Sequence, residues 1–287
     1  MLRDYSTISP SARALLLMKG VTDIPYAKEA AELMMRPEPY EPSYDNKDAR
    51  LWARILHFEA RYFSINEMLE EIDAHNILEL SSGFSFRGLE MTTVKNHLHY
   101  IDTDLPGIID AKKDIIEDLV DDVRKHSKLE LLPLNVLDED QFLKVVKHFE
   151  KGPITIVNEG LLMYLETEEK EKLCEIIHYI LRKRGGCWIT GDIYFKKDLS
   201  KTLKRKDELG KFTEEHRIDE KKFDNEQSAR DFFDRMGFVI DKVNEIDYKE
   251  LSAYPYFVEN LTPEQVDEFR KIGKVRETWR LKIKHHE

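Results

Sequence analysis

Between residues 76 and 240, short apolar runs alternate with longer amphipathic stretches, and this alternation constrains the fold more than any other feature. Five runs read as strands, at residues 76–80, 97–102, 129–134, 153–158 and 186–190. The fourth, Pro153-Ile154-Thr155-Ile156-Val157-Asn158, is short, rich in β-branched residues and preceded by Gly152. The gaps carry helical spacing. Ile108, Ile109, Ile115, Ile116, Leu119 and Val123 follow a period near 3.6 residues, as do Phe142, Val145, Val146 and Phe149. Residues 167–181 form a third helical stretch, which closes on Arg182-Lys183-Arg184 before Gly185-Gly186, as suits a helix C-terminus. Strands alternating with helices imply right-handed βαβ crossovers and a parallel sheet.

The pattern changes at both ends. Residues 196–225 are dense in charge and read as an insertion or cover, within a stretch of about 195–225 set apart from the core. A helix over 226–236, a strand over 237–240 and a helix over 262–272, with Pro263 in its first turn, come next. Residues 278–284 alternate apolar and polar side chains, so they read as a half-exposed seventh strand. Ahead of the first strand, 11–19, 28–35 and 48–74 read as helices. Residues 1–74 are thus expected to form a helical cap on a core spanning 75–287, the whole chain being a single domain.

Composition excludes several classes. The net charge of −11 repels phosphate backbones, and the basic run Lys196 to Lys206 reads as a solvated segment, which argues against nucleic acid as a partner. There is no uninterrupted apolar run of about 18 residues, so no membrane span is expected. The first residues, Met1-Leu2-Arg3-Asp4-Tyr5-Ser6, lack the apolar core of a signal peptide. Cys174 and Cys187 fall in helical and strand-like runs and read as small buried hydrophobes, neither a disulfide framework nor a metal cluster. The expected compartment is the cytoplasm.

Residues 76–104 carry the strongest signal for chemistry. The first strand runs into Ser81-Ser82-Gly83-Phe84-Ser85, and Asp102 and Asp104 follow Gly83 by 19 and 21 residues. A nucleotide-binding βαβ unit has this layout: glycine lets the backbone approach the ligand, and an acid beyond the second strand accepts from ribose hydroxyls. Ser81 and Ser85 stand where a dinucleotide fingerprint has glycines. The crowded loop suits a nucleoside without a pyrophosphate better, although an ordinary strand-turn-helix would also show one glycine here.

The segment after the fourth strand, Asn158-Glu159-Gly160-Leu161-Leu162-Met163-Tyr164-Leu165, resembles the signature of the leucine carboxyl methyltransferase family. Leu80-Ser81-Ser82-Gly83-Phe84-Ser85-Phe86-Arg87 is similar to that family's glycine loop, with Ser81 for a glycine and Ser85 for an aspartate. Asp102-Thr103-Asp104-Leu105-Pro106 and Ala60-Arg61-Tyr62 resemble two more of its motifs. The resemblance spans roughly residues 8–245. It implies an α/β, Rossmann-like, seven-stranded and mostly parallel sheet whose last strand lies antiparallel beside the fifth. It also implies S-adenosyl-L-methionine as cofactor and O-methyl transfer as the reaction.

The resemblance further implies roles for individual residues. Arg61 would clamp the cofactor's methionine carboxylate. Gly83 would lie under the methionine and ribose portion, with Glu79 or Ser81 nearby. Asp104 would hold the ribose, with Asp102 as the alternate. Asn135 and Val136 would meet the adenine edge, and Glu159 would lie near the amino group. Surface arginine, turn acid and helix-terminal acid are the plain readings of the same residue types. Met163, Tyr164 and Leu165 read as packing residues.

A carboxylate acceptor is ionised near neutral pH and needs no general base, whereas a hydroxyl acceptor would need one, for which His57 and His216 are candidates. Arg13, Lys19 and Arg87 are candidate cations for an acceptor carboxylate. The expected function is therefore O-methylation of a carboxylate or hydroxyl on a small molecule. Three alternatives stay open: a protein C-terminal carboxyl methyltransferase, a degenerate non-catalytic scaffold, and a nicotinamide dehydrogenase.

Overall fold

The computed structural model describes residues 9–42, 49–119, 127–197 and 214–284. Among these residues the seven strands form one sheet in the order β3-β2-β1-β4-β5-β7-β6. β1 (Asn76–Leu80), β2 (His99–Asp104), β3 (Lys128–Pro133), β4 (Ile154–Asn158) and β5 (Gly186–Tyr194) pair in parallel. β7 (Arg276–Ile283) runs antiparallel to both β5 and β6 (Phe238–Val243). β1 and β4 are buried along their whole length, as expected of central parallel strands covered on both faces.

One face is covered by α6 (Glu139–Val146), α7 (Thr167–Arg184) and α9 (Glu226–Arg235), which pack around Trp188, Phe233, Phe238 and Trp279. The other is covered by α3 (Ala49–Glu70) and α4 (Arg87–Val94), with Ile65, Met68, Met91 and Tyr100 in contact across the sheet. α5 (Pro106–Leu119) follows β2 directly, with Pro106 at its first position. α1 (Ser9–Lys19) and α2 (Ala27–Met35) pack on Tyr62 of α3 and on Phe86 and Leu89 of α4. Both helices thus rest on the segments that flank β1. Further on come the short α8 (Ile218–Lys221), α10 (Tyr254–Glu259) and α11 (Pro263–Ile272).

Two differences from expectation matter for the site. β2 runs two residues further than its apolar stretch, so Asp102 lies inside the sheet and Asp104 takes the strand end. β5 continues through Asp192 to Tyr194. α4, α8 and α10 have no counterpart in the sequence reading. Most of the charged stretch, and of the basic run within it, lies at 198–213, outside the described residues. No described helix is long and apolar enough to cross a membrane.

Candidate active site

The strand order reverses between β1 and β4, and in such sheets ligands bind beyond the carboxyl ends of the strands at this switch point. A cleft partly open to solvent lies there. The loops after β1, β2, β3 and β4 form its floor and sides, and Ser11, Ala12 and Leu15 of α1 roof it.

The β1 loop is held by hydrogen bonds to β2. Ser82 N donates to Thr103 O at 3.0 Å, and Gly83 N donates to Asp104 Oδ2 at 2.7 Å. Gly83 has φ +55°, a conformation open to glycine without cost. Ser81 adopts φ +51°, which costs an L-residue energy. Asp104 Oδ1 accepts from Leu105 N at 2.7 Å, and the carboxylate lines the cleft. Burial pushes its carboxyl up, against the two backbone donors.

Asp102 faces elsewhere. Its carboxylate accepts from Lys112 Nζ at 2.5 Å and from the Ser82 hydroxyl, and only 1% of the residue is exposed. The longer β2 places it one strand repeat below the rim, so it braces the loop from beneath and does not face the cleft.

Glu159, just past β4, is where the charges converge. Lys19 Nζ donates to its Oε1 at 2.6 Å, Arg61 Nε to the same oxygen at 3.2 Å, and Arg87 Nη2 to its Oε2 at 2.7 Å. Burial alone would raise this carboxyl, but the three cations outweigh it and hold Glu159 well below the ordinary carboxylate range. Burial lowers Lys19, and Glu159 opposes that shift. Lys19, Arg61 and Glu159 all line the cleft.

Beneath them Arg87 is fully buried, with its charge shared between Glu159 and Glu79. Arg87 Nε also donates to Asn66 Oδ1 at 2.7 Å, and Tyr100 donates to Glu79 Oε2 at 2.7 Å. Glu79 is 0% exposed and out of the cleft. The structure thus removes Glu79 and Asp102 from direct reach of a ligand, because each is spent on a buried cation. It also takes Arg87 away from an acceptor. Arg13 is exposed and donates to Met35 Sδ at 3.6 Å.

Asp192 fixes the loop after β4. Its carboxylate accepts from the backbone N of Gly160 and Leu161, each at 2.6 Å, and from Asn158 Nδ2 at 2.6 Å. Gly160 has φ +82°, and a Cβ there would meet Arg61 Nη2 at 3.3 Å, so glycine lets this loop close on the arginine. Arg61 Nη1 reaches onward to Tyr194 Oη at 3.0 Å, and Tyr194 Oη meets His57 Nε2 at 2.8 Å.

Asn135 and Val136 line the opposite end of the cleft beside Leu134, Leu137 and Ile108, an apolar slot with one amide at its edge. Of the nine expected cofactor residues, Arg61, Ser81, Gly83, Asp104, Asn135, Val136 and Glu159 meet at one cleft. Lys19 joins them, although the sequence reading named it only as an acceptor cation, and Tyr164 also lines the cleft. Asp192 and Tyr194 were missed because they follow a glycine that interrupts the β5 pattern. Among the described residues lining the cleft there is no histidine; His57 is linked to it only through Tyr194 and Arg61, and His216 is not part of it.

The model of the leucine carboxyl methyltransferase family matches residues 9–178, more than half of the chain. The chain therefore belongs to the leucine carboxyl methyltransferase family, and with it to the S-adenosylmethionine-dependent methyltransferases. A DUF574-family protein from Streptomyces avermitilis aligns over 96% of this chain and 97% of its own, at 13% identity and a TM-score of 0.58, which shows a shared fold. A magnesium protoporphyrin IX methyltransferase from Synechocystis aligns over 90% of this chain and 94% of its own, at 8% identity and a TM-score of 0.47. A mitomycin 7-O-methyltransferase aligns over 82% of this chain and 57% of its own, at 8% identity and a TM-score of 0.47. No curated protein matches the chain in sequence.

Proposed function

We propose that the cleft binds S-adenosylmethionine and that the protein methylates a carboxylate of a small molecule. The observation that carries this reading is the convergence of Lys19, Arg61 and Glu159 at one end of the cleft. Two cations and one anion there complement the zwitterionic amino-acid end of the cofactor. An acid on a strand end and an apolar slot follow, in the order a ribose and an adenine would require.

When bound, S-adenosylmethionine supplies a methyl group on a positively charged sulfur. Arg61 and Lys19 donate to its carboxylate, a charge-assisted contact. Glu159, kept ionised by its cations, accepts from its ammonium group. Asp104 accepts from the ribose hydroxyls, and Gly83 lets the backbone lie close beneath. Val136 and Leu134 face the adenine, with Asn135 at its edge. Glu79 and Asp102 hold the site from below through Arg87 and Lys112.

The protein's task is then to bring the acceptor oxygen in line with the methyl carbon, within about 3–3.5 Å. Transfer of that methyl to a carboxylate oxygen would form a carbon–oxygen bond at the expense of the carbon–sulfur bond, whose electron pair would stay on sulfur. The acceptor's negative charge and the sulfonium's positive charge cancel, so no proton needs removing. A cleft whose described lining has no histidine, and whose two carboxylates are committed, supports a nucleophile that arrives ionised. The α1 roof encloses the cleft and supports a small acceptor over a folded protein partner. The His57–Tyr194 contact, linked to the cleft through Arg61, favours a second reading, a hydroxyl acceptor deprotonated through that pair.

Calorimetric titration with S-adenosylmethionine and S-adenosylhomocysteine tests the cofactor. Micromolar binding supports the reading, and no binding at millimolar ligand refutes it. Release of methanol by mild alkali after incubation with carboxylic acids distinguishes ester formation from ether formation, which yields none.

A further inference from the structure

The buried cations at and beneath the cleft each have a carboxylate partner, whereas one buried cation near Tyr194 does not. Lys19 and Arg61 pair with Glu159, Arg87 pairs with Glu79 and Glu159, and Lys112 pairs with Asp102. Arg276, the first residue of β7, is the exception. It is 8% exposed, yet among the described residues no carboxylate forms an ion pair with it. A buried guanidinium without a counter-ion is costly.

Its geometry shows which part is committed and which is free. Nη1 donates to Gly191 O at 3.1 Å and to Thr278 Oγ1 at 2.6 Å. Nε and Nη2 make no hydrogen bond to the described residues. Both atoms keep some solvent-accessible surface. Nε and Nη2 share one edge of the guanidinium, the edge that meets a carboxylate through two parallel hydrogen bonds.

The position is also apt. Arg276 lies opposite Tyr194 in the β5–β7 register, and Tyr194 accepts from Arg61 of the cleft. Its charged and titratable neighbours are Tyr194, Tyr248, Arg61 and Asp192. Asp192 attracts it from a distance, but forms no ion pair with it, its oxygens being bonded to Asn158 and the loop after β4. The segment carrying Tyr248 is braced on α3. Ser252 N and Ala253 N each donate to Glu59 at 2.9 Å, and Tyr256 stacks on Trp52 at 4.5 Å. Tyr248, 44% exposed, is the solvent-facing member of these neighbours.

We propose that the Nε–Nη2 edge of Arg276 seats the carboxylate of the methyl acceptor, so that this residue selects anionic acceptors. The inference rests on the cleft being the S-adenosylmethionine site. It adds a second station beside that site, joined to it through Tyr194 and Arg61. An acceptor held there is positioned by an arginine that takes no part in cofactor binding.

Sodium benzoate is the probe, with protein labelled with ¹⁵N at arginine and the side-chain Nε–H resonances followed by NMR, with and without S-adenosylhomocysteine. The Arg276 resonance is assigned by its loss in Arg276→Met. The expected result is a saturable shift of that resonance at millimolar benzoate. Benzoate affinity should fall on the order of tenfold or more in Arg276→Met and less in Arg276→Lys, with S-adenosylhomocysteine affinity unchanged in both. Unchanged cofactor affinity also shows that the variants are folded. An Arg276 resonance that does not move with benzoate, or equal benzoate affinity in Arg276→Met, overturns the proposal. If the wild type fails to bind S-adenosylhomocysteine while the benzoate shift persists, the cofactor reading falls and the anion seat stands.

Discussion

Arg87 gives the sharpest test of how the site is built. Its guanidinium is fully buried, bonded to Glu79, Glu159 and Asn66 and lying 4.4 Å from the Tyr62 ring centroid. Replacing it with Met keeps much of the volume and removes the charge. Glu159 would keep Lys19 and Arg61, but Glu79 would be left with the Tyr100 hydroxyl alone. Breaking a buried pair by removing one partner costs about 3–5 kcal/mol. In a chain of this size each kcal/mol moves Tm by about 2–4 °C, so the melting temperature should fall on the order of 10 °C. The deficit should depend on pH. Burial already raises the Glu79 carboxyl above its usual 4.5 against the pull of Arg87, and losing the arginine raises it further. A carboxyl raised in the folded state binds its proton more readily there than in the unfolded chain. Its stabilising contribution is thus complete below the ordinary value and lost as pH rises through the folded value. Arg87→Met should therefore lie closest to wild type near about pH 4–5 and furthest at neutral pH. Adding Glu79→Gln to Arg87→Met should restore most of the loss at neutral pH. Thermal unfolding followed by circular dichroism at the two pH values reads all of this. A loss below about 1 kcal/mol, of the size seen for exposed pairs, or a double variant no better than the single one, would refute the charge accounting.

Asp104→Asn should weaken S-adenosylhomocysteine binding by about 1.5–3 kcal/mol, a ten- to hundredfold rise in Kd, by removing an ionised acceptor, with the fold retained by circular dichroism. Because burial raises Asp104, wild-type affinity should begin to fall with acidification above the ordinary carboxylate range; an affinity flat down to about pH 4 contradicts a ribose contact by the ionised acid. Arg61→Ala should weaken the same ligand by a similar amount, about 1.5–3 kcal/mol by calorimetry. Ser81→Gly should raise stability in thermal unfolding, since relief of the left-handed conformation gains about 1–2 kcal/mol against about 0.5–1 kcal/mol of added chain entropy. Burial lowers Lys170 to about 8. The unfolded chain then binds more protons than the fold between there and the ordinary 10.5, so stability should rise with pH across that window, and part of the rise should vanish in Lys170→Met.

The parts of the fold legible in the sequence are those whose burial is apolar. β1 and β4 were located to within a residue because both faces of each strand are covered. β2 was displaced because its last residues, Asp102-Thr103-Asp104, look like a turn. They are strand residues whose polar groups find partners inside the protein: Lys112 and Ser82 for Asp102, and Glu79 O for Thr103 at 2.7 Å. α4 went unread for a similar reason, since it opens on Arg87, a charged side chain buried by ion pairing. The cleft residues near the family motifs could be named in advance. Lys19 could not be tied to Glu159, because 140 residues separate them and only the packing of α1 on the core brings them within 2.6 Å. Nor could periodicity separate Asp104 from Asp102: both lie on β2, and the two-residue extension of that strand decides which one reaches the rim.

Ser81 and Ser85 stand where the family's loop has glycine and aspartate, and the structure shows what holds the loop in their place. Ser81 takes the left-handed conformation that a glycine would take, so the backbone path survives at a cost in strain. The Ser82 hydroxyl bonds Asp102, and Lys112 donates to it at 3.0 Å, which ties the loop to β2 and α5 through side chains. Ser85 Oγ accepts from Arg87 N at 3.4 Å at the start of α4, while the side chain of Arg87 secures Glu159. The loop is therefore held by the same buried charges that hold the ligand-facing groups. This coupling favours a working binding site over a degenerate scaffold: an idle cleft would gain nothing from keeping Lys19, Arg61, Asp104 and Glu159 aimed into it, since burial opposes the charged form of each. A ligand that completes those charges would recover part of that cost. The bound form should therefore melt higher than the free form by more than the loss of any one contact can explain.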